Sequence, residues 1–340
     1  MKTILICGGA GFIGHHIARK LKSEGHYVVV ADIKTRNEYC KGNEYCHQYL
    51  QLDLCKDDSW NAIHDQFKGF DEVYQLAADM GGAGYIFTGD NDANVMTNSS
   101  LVNLHCVQFA TKWKAKVFYS SSACMYPSHN QEDPDNPNCK EDSAYPANPD
   151  SEYGWEKLFS ERLYLAAARN YGLDVRVARF HNIFGPEGTY DGGKEKAPAA
   201  LCRKVIQALS NSQGGMSGTM MDEARIPRRN PEIEVWGPGT QTRSFLYIDE
   251  CIEAVQRLMK SDFKEPVNIG SDEMISINNL AKMVIEISGK ECIINNIEGP
   301  LGVMGRNSDN KLIKEKLGWS PSLPLRSGIK KTYEWIKNES

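Results

Sequence analysis

A doubly wound, parallel α/β sheet followed by a smaller mixed α/β domain on the C-terminal side is the fold class this 340-residue sequence predicts. Three observations predict it. Short β-rich runs alternate with amphipathic helical periods over the first 180 residues, the pattern of βαβ units. A G-x-x-G-x-x-G run (Gly8, Gly11, Gly14) follows the first β run directly, as in a Rossmann-type turn. Gly, Pro and Lys then become dense from Gly185 to Pro198, which marks a domain boundary.

The elements read in order as strand Ile4–Cys7, helix Phe12–Ser23, strand Tyr27–Asp32, a strand near Tyr49–Leu52 and strand Glu72–Leu76. Helix Asn94–Thr111, strand Lys116–Ser120, helix Ser151–Tyr171 and strand Asp174–Phe180 complete an NAD-binding domain at 1–180, with return segments expected within 238–270. The smaller domain, 181–340, carries helical periods at Ala199–Leu209, Asp249–Lys260, Ile277–Ser288, Leu312–Leu317 and Ser327–Lys337, with short strands such as Val267–Ile269. The segment Ser210–Pro231 lacks either hydrophobic period and reads as a long mobile loop. Its basic portion, Arg225–Arg229, is expected near a nucleotide or a subunit contact. No internal repeat is present.

Composition narrows the function. With 41% hydrophobic and 24% charged residues the chain can bury a sizeable core. A net charge of -5 and a pI of about 6.0 argue against nucleic-acid and membrane-surface partners, which require clustered positive charge. The apolar run Thr3–Cys7 is too short for a secretory segment, and no stretch reaches a membrane span, so a soluble, cytoplasmic protein is expected. Ten cysteines without a CxxC pair suit free thiols in a reducing compartment, and neither a disulfide framework nor a metal site is indicated.

Glycines at 8, 11 and 14 let backbone amides approach a pyrophosphate, with the N-terminus of the helix beginning FIGHH facing it. Such turns also use glycine for purely structural reasons, and Asp32 supplies the context. It ends the second strand about 20 residues on, where a carboxylate accepts from both ribose hydroxyls and repels a 2′-phosphate, favouring NAD over NADP. Lys34 and Arg36 stand nearby as potential 2′-phosphate partners. Asp53 suits the adenine amino group or, equally, a solvated loop.

Tyr153 and Lys157 are spaced i, i+4 at the start of a predicted helix and share one face. A tyrosine titrates near pH 10, so acting as a base near neutrality requires a depression of roughly three units, about 4 kcal/mol of phenolate stabilisation. A neighbouring ammonium and a nicotinamide cation are suited to supply it. Ser120, Ser121 and Ser122 close the preceding strand at its carboxyl end, where open α/β sheets bind ligands.

Together GGAGFIG, SSSACMYP and YGWEK make the chain resemble the extended short-chain dehydrogenase/reductase family, whose members mostly rework nucleotide-activated sugars. The resemblance implies a Ser122, Tyr153, Lys157 triad and bound NAD. It extends the cofactor site to Phe12, Ile13, Leu76 and Ala77 beside Gly8, Gly11, Gly14, Asp32 and Asp53. Dehydratases of the family carry two carboxylates where this chain has Ala123 and Cys124; a 4-epimerase requires no added base. Cys124 is therefore the discriminating residue. It is suited to take a proton from carbon as a thiolate, and otherwise is a buried apolar cysteine.

Further segments (DMGGAGY, RFHNIFGPEGT, GGKEKAPAALCRK, QTRSF, VNIGSDEMIS and GRNSDNKLIKEKLGW) are similar to the GDP-mannose 3,5-epimerase branch of that family along almost the whole chain. This likeness implies Cys124 and Lys196 as the acid/base pair on opposite faces of a GDP-hexose, with Tyr153 and Lys157 acting at C4. It implies further substrate contacts from Gly82, Ser122, Ala123, Asn182, Glu195, Ala197, Lys204, Trp236, Arg243 and Ser308, and a homodimer. Arg243 is expected to bond a diphosphate bidentately. As plain structure, Gly82 shapes a turn, Asn182 caps a loop and Arg243 pairs with Asp249 or Glu250. The competing readings are a 4-epimerase or 4,6-dehydratase, and a non-catalytic NAD-binding regulator. The regulator is disfavoured because Tyr153 and Lys157 are both kept.

Overall fold

The computed structural model describes residues 1–35, 45–213 and 231–340. Arg36 and the basic run Arg225–Arg229 lie outside the described residues.

Six strands, with helices described after β1, β3, β4 and β5, follow in order: β1 (Thr3–Cys7), β2 (Tyr27–Asp32), β3 (Gln48–Gln51), β4 (Glu72–Gln75), β5 (Lys116–Ser122) and β6 (Val175–Phe180). They lie side by side in the order β3-β2-β1-β4-β5-β6, and the strand Val267–Ile269 returns to pair with the outer edge of β6. All pairings in this sheet are parallel, for example Ile6 against both Val30 and Tyr74. The central strands are apolar toward both faces (ILIC in β1, VVVA in β2) because helices cover both sides.

One face carries α1 (Phe12–Ser23), whose Ile17 and Leu21 pack on Ile4 and Val28. The other carries α2 (Asp57–Phe67), α4 (Asp92–Trp113) and α5 (Glu152–Tyr171), which bury Trp60, Cys106 and Tyr164 against Leu5 and Tyr119. A single turn, α3 (Ala83–Ile86), precedes α4. Ser151 caps α5 by accepting the Gly154 N–H, so the chain stops being extended one residue before the helix that holds Tyr153.

The C-terminal half adds α6 (Ala197–Gln213), α7 (Ile248–Lys260), α8 (Ile277–Ser288), α9 (Lys311–Leu317) and α10 (Leu325–Glu339). Its small sheets pair Glu232–Trp236 with Ile293–Ile297, and Thr242–Ser244 with both Met274–Ser276 and Gly305–Arg306. The last pairing sets Arg306 directly beside Arg243.

The structure corrects the sequence reading in three places. Ser210 does not begin a loop: α6 continues to Gln213, and the Ser210 hydroxyl donates to the Ile206 carbonyl; residues 214–230 lie outside the described part. The third strand starts one residue earlier, because Gln48 already pairs with Val29 of β2. The helix α2 was not anticipated; it starts with Asp57 and Asp58, which suit the positive end of a helix dipole. Among the described residues no helix is long and apolar enough to cross a membrane.

Candidate active site

The glycine turn is shaped by contacts a side chain would break. Gly8 has φ of +79°, and a Cβ there would lie 2.6 Å from the Ala77 nitrogen; at Gly14 it would run into the Gly8 carbonyl. A Cβ at Gly11 would meet only the Gly8 oxygen at 3.1 Å, so the outer side of the turn is bare backbone. No side chain caps the head of α1, so its first N–H groups point out from that turn. Asp32, at the end of β2, accepts from the Ala10 and Lys34 N–H groups at 2.9 and 3.0 Å. This donor set fits a dinucleotide diphosphate over the turn with its ribose beside Asp32. Gln75 fixes Ala77 by accepting its N–H and donating to its carbonyl, which holds Leu76 and Ala77 along the same edge. Asp53 is half-buried, accepts the Cys55 N–H and faces Lys56 at 3.6 Å.

A second contact ties this turn to the loop that begins the C-terminal half. His15 and Arg19 of α1 both reach the Glu187 carboxylate, at 2.8 and 2.5 Å. Glu187 sits at φ of +64°, and its carboxyl pKa is held down at about 2: burial opposes this, but the His15 and Arg19 hydrogen bonds outweigh it and keep it ionised. His15, His16 and Glu187 also satisfy a metal-ligand spacing. The Arg19 guanidinium on the same oxygen explains the cluster as an ion pair.

The carboxyl ends of β5 and β6 open into a cavity of about 370 Å³. Ser122 ends β5 and its hydroxyl accepts the Cys124 N–H at 3.2 Å, turning Ala123 and Cys124 into a short 3-10 turn on the cavity wall. Tyr153 lines the same wall. Lys157 is buried behind it, 5.6 Å from the Tyr153 ring centre, and donates to the Ser120 carbonyl at 3.1 Å. Burial raises the Tyr153 phenol, with the Cys124 charge adding to this and the Ser122 hydroxyl opposing. Burial lowers the Lys157 ammonium, while Glu156 and Cys124 raise it. The protein alone therefore does not bring the phenol toward neutrality, in contrast to the requirement set by the sequence reading.

Across the cavity stand Glu195, Lys196 and Ala197 at the head of α6. Lys196 is exposed to the cavity space; desolvation by the surrounding protein lowers its ammonium and the Cys124 charge raises it. Gly82 is needed where it is, since a Cβ would stand 2.5 Å from the Glu195 carbonyl. Glu195 is held by Arg203 and by the Gly193 N–H. Asn182, at φ of +43°, donates to the Ser244 carbonyl. Lys204 donates to the Glu234 carbonyl and lies 5.9 Å from the ring of Trp236, both at the cavity's far end.

The cavity thus gathers every sequence-predicted substrate residue except Ser308. Ser308 is 2% exposed, and its hydroxyl donates to Asn310 within the loop it stabilises. Arg243 lines the cavity, but its Nη1 and Nη2 groups donate to the carbonyls of Thr242, Leu301, Val303 and Met304 instead of pairing with Asp249 or Glu250. Burial, helped by Arg306, brings it down to about 10.

Arg306 was not singled out from the sequence. It is 5% exposed and donates to the Cys124 sulfur at 3.0 Å, to Gln131 at 2.5 Å and to Asp150 at 3.1 Å. Burial works against its charge, but Cys124 and Asp150 outweigh that and raise it. Its only sequence signal was its place in the GRNSDN run beside Ser308.

A parallel sheet in the order 3-2-1-4-5-6, a glycine turn with Asp32 at the end of the next strand, and Ser122 and Tyr153 on a cavity wall with Lys157 buried behind them are the features of an NAD-dependent enzyme of the extended short-chain dehydrogenase/reductase class. The chain belongs to the NAD dependent epimerase/dehydratase family, which matches residues 4–270. It is 46% identical over 337 residues to GDP-mannose 3,5-epimerase 1 of Oryza sativa subsp. japonica, covering 99% of this chain and 82% of that one. The Arabidopsis thaliana GDP-mannose 3,5-epimerase is 45% identical over the same shares. Among solved structures, the fold matches a UDP-glucose 4-epimerase from Thermotoga maritima with a TM-score of 0.81 at 24% identity, covering 99% of both chains.

Proposed function

We propose that this NAD-dependent epimerase acts on GDP-mannose, inverting C3 and C5 to give GDP-L-galactose, with GDP-L-gulose as the product of inversion at C5 alone. The observation that carries the reading is that Cys124 and Lys196 share one cavity with Tyr153 and that a buried guanidinium rests on the Cys124 sulfur. The likeness to GDP-mannose 3,5-epimerases at 45–46% identity supports the substrate.

Gly8, Gly11, Phe12, Ile13, Gly14, Asp32, Asp53, Leu76 and Ala77 would hold NAD, which when bound supplies a reversible hydride acceptor for C4. Tyr153, oriented by Ser122 and backed by Lys157, takes the C4 hydroxyl proton. The resulting ketone acidifies the protons on both C3 and C5. Cys124 then removes a proton from one face while Lys196 returns one to the other. Arg306 donates a hydrogen bond to that sulfur and so fixes its position in the cavity wall. Because the bound cofactor would supply an acceptor that gives the same hydride back, the chemistry at C4 would leave no net redox change.

Gly82, Ala123, Asn182, Glu195, Ala197, Lys204, Trp236 and Arg243 contact the sugar nucleotide in this reading. The division into a cofactor unit at 1–180, joined by 238–270, and a substrate unit at 181–340 belongs to it as well. The protein acts in the cytoplasm as a homodimer: Leu104 on α4 and Trp155 and Phe159 on α5 stay 43%, 40% and 45% exposed on neighbouring helices, an apolar surface suited to a second copy.

The test is to incubate the protein with GDP-mannose in deuterated water and follow the sugar protons by NMR. Deuterium entering at C3 and C5 is expected; inversion at C4 without exchange would overturn the reading.

A further inference from the structure

We propose that Tyr85 and Lys194 form a clasp that positions Lys196: the Lys194 amine lies against the Tyr85 ring, and that ring is fixed to the loop that borders the cofactor edge. The inference rests on the reading of Lys196 as the group that returns a proton to the sugar.

Lys196 leaves the chain one residue before α6, at the end of a segment that packing alone does not hold. Gly192 and Gly193 adopt φ of +88° and +85°, and a Cβ at either would meet nothing within 4 Å. Residues Asp191, Gly192, Gly193 and Lys194 are all exposed. The turn is closed by its own polar groups: the Gly192 N–H donates to Asp191 at 2.8 Å and the Gly193 N–H to Glu195 at 2.7 Å. Local bonds of this kind shape a turn without fixing where it stands. Proton return requires the Lys196 amine at one face of the sugar, so the root of that side chain has to be anchored to the rest of the site.

Two contacts join the segment to the cofactor side. A Cβ on Gly82 would stand 2.5 Å from the Glu195 carbonyl, so the two backbones touch there. One residue earlier, the Lys194 Nζ lies 4.0 Å from the centre of the Tyr85 ring. That is well inside the range of about 6 Å over which a ring face attracts a cation. From the other side, Arg203 of α6 holds the Glu195 carboxylate at 2.8 Å. Lys196 follows these anchors directly in the chain.

The ring is itself fixed. The Tyr85 hydroxyl donates to Asp79 at 2.7 Å, and its carbonyl accepts from Asn91 at 3.2 Å. Asp79 takes a second bond from Asn98 of α4 at 3.0 Å, and its own N–H donates to the Ser99 hydroxyl at 3.0 Å. Asp79 stands two residues after Ala77, whose polar groups Gln75 fixes at the cofactor edge. A short chain of contacts, from Lys194 through Tyr85 to Asp79, thus refers the root of Lys196 to the cofactor. Tyr85 and Lys194 stand outside the cavity lining, so their effect on the chemistry passes through Lys196.

The experiment uses the whole NAD-loaded protein. Without substrate, hydrogen exchange of amides 191–197, followed by mass spectrometry, is expected to rise about threefold in Lys194→Gln and in Tyr85→Leu, the effect of losing one exposed cation–ring contact. It is expected to stay at the wild-type rate in Lys194→Arg, which keeps a cation for the ring. With GDP-mannose in deuterated water, kcat for proton exchange is expected to fall about tenfold in Lys194→Gln and Tyr85→Leu, with KM within about twofold of wild type and bound NADH still formed. The exchange arm needs no substrate, so a wild-type protein inactive on GDP-mannose would sink that assignment and leave the clasp readable. Lys194→Gln alters one exposed side chain and decides the matter if Tyr85→Leu does not fold. Wild-type amide exchange or wild-type kcat in Lys194→Gln would overturn the proposal. A raised KM at unchanged kcat would also overturn it, because Lys194 would then be a substrate contact, and so would an equal loss in Lys194→Arg.

Discussion

Arg306 and Cys124 show how much of this site depends on single side chains brought together by the fold, 182 residues apart in sequence. A guanidinium held by Gln131 and Asp150 donates to this sulfur from inside the protein and fixes it on the cavity wall. Replacing Arg306 by Gln removes that cation and leaves Asp150 without its ion-pair partner. Turnover is expected to fall by about 10² or more, with NAD still bound, as a kcat assay and cofactor release on denaturation will show. At this scale the sequence was legible where local spacing carries chemistry, as in Tyr153 with Lys157 and the 8, 11, 14 glycines. It was not legible where partners are distant. Nothing near Arg306 marks it as the neighbour of Cys124, and nothing near Ser308 shows that its hydroxyl turns inward to Asn310.

Elements, more than residues, decide where the two halves meet. Helix α1 is bound to the loop after β6 through His15, Arg19 and Glu187, so the glycine turn before it and the chain leading to Lys196 are mechanically joined. Glu187 has a folded value of about 2 against roughly 4.3 unfolded, so its stabilisation is present above about pH 4.3 and is lost as pH falls toward 2. Glu187→Gln is expected to cost about 1–2 kcal/mol at pH 7, read by denaturant melts, and the gap to wild type should close at pH 2–3. The strongly periodic helices were read within a few residues from the sequence, since a buried face imposes its period wherever the chain packs. The short strands around Arg243 were not, because three residues or fewer give too little alternation to separate them from loops, and α2 was not, because Trp60 and Ile63 are its only fully buried apolar residues.

For the molecule as a whole, the two-sided sheet fixes a rigid floor and the C-terminal half closes over its carboxyl edge, so that one cavity collects groups from 80 to 306. The apolar surface of Leu104, Trp155 and Phe159 predicts a dimer; Trp155→Asp with Phe159→Asp should give a monomer by light scattering, and an unchanged dimer mass would locate the contact elsewhere. The central claim is that C4 oxidation serves carbon acidity, with Cys124 exchanging the protons. It is tested most directly by NAD-loaded Cys124→Ala given GDP-mannose in deuterated water. The account predicts that bound NADH still appears at 340 nm while deuterium entry at C3 and C5 is lost; full exchange and turnover in that variant would contradict it.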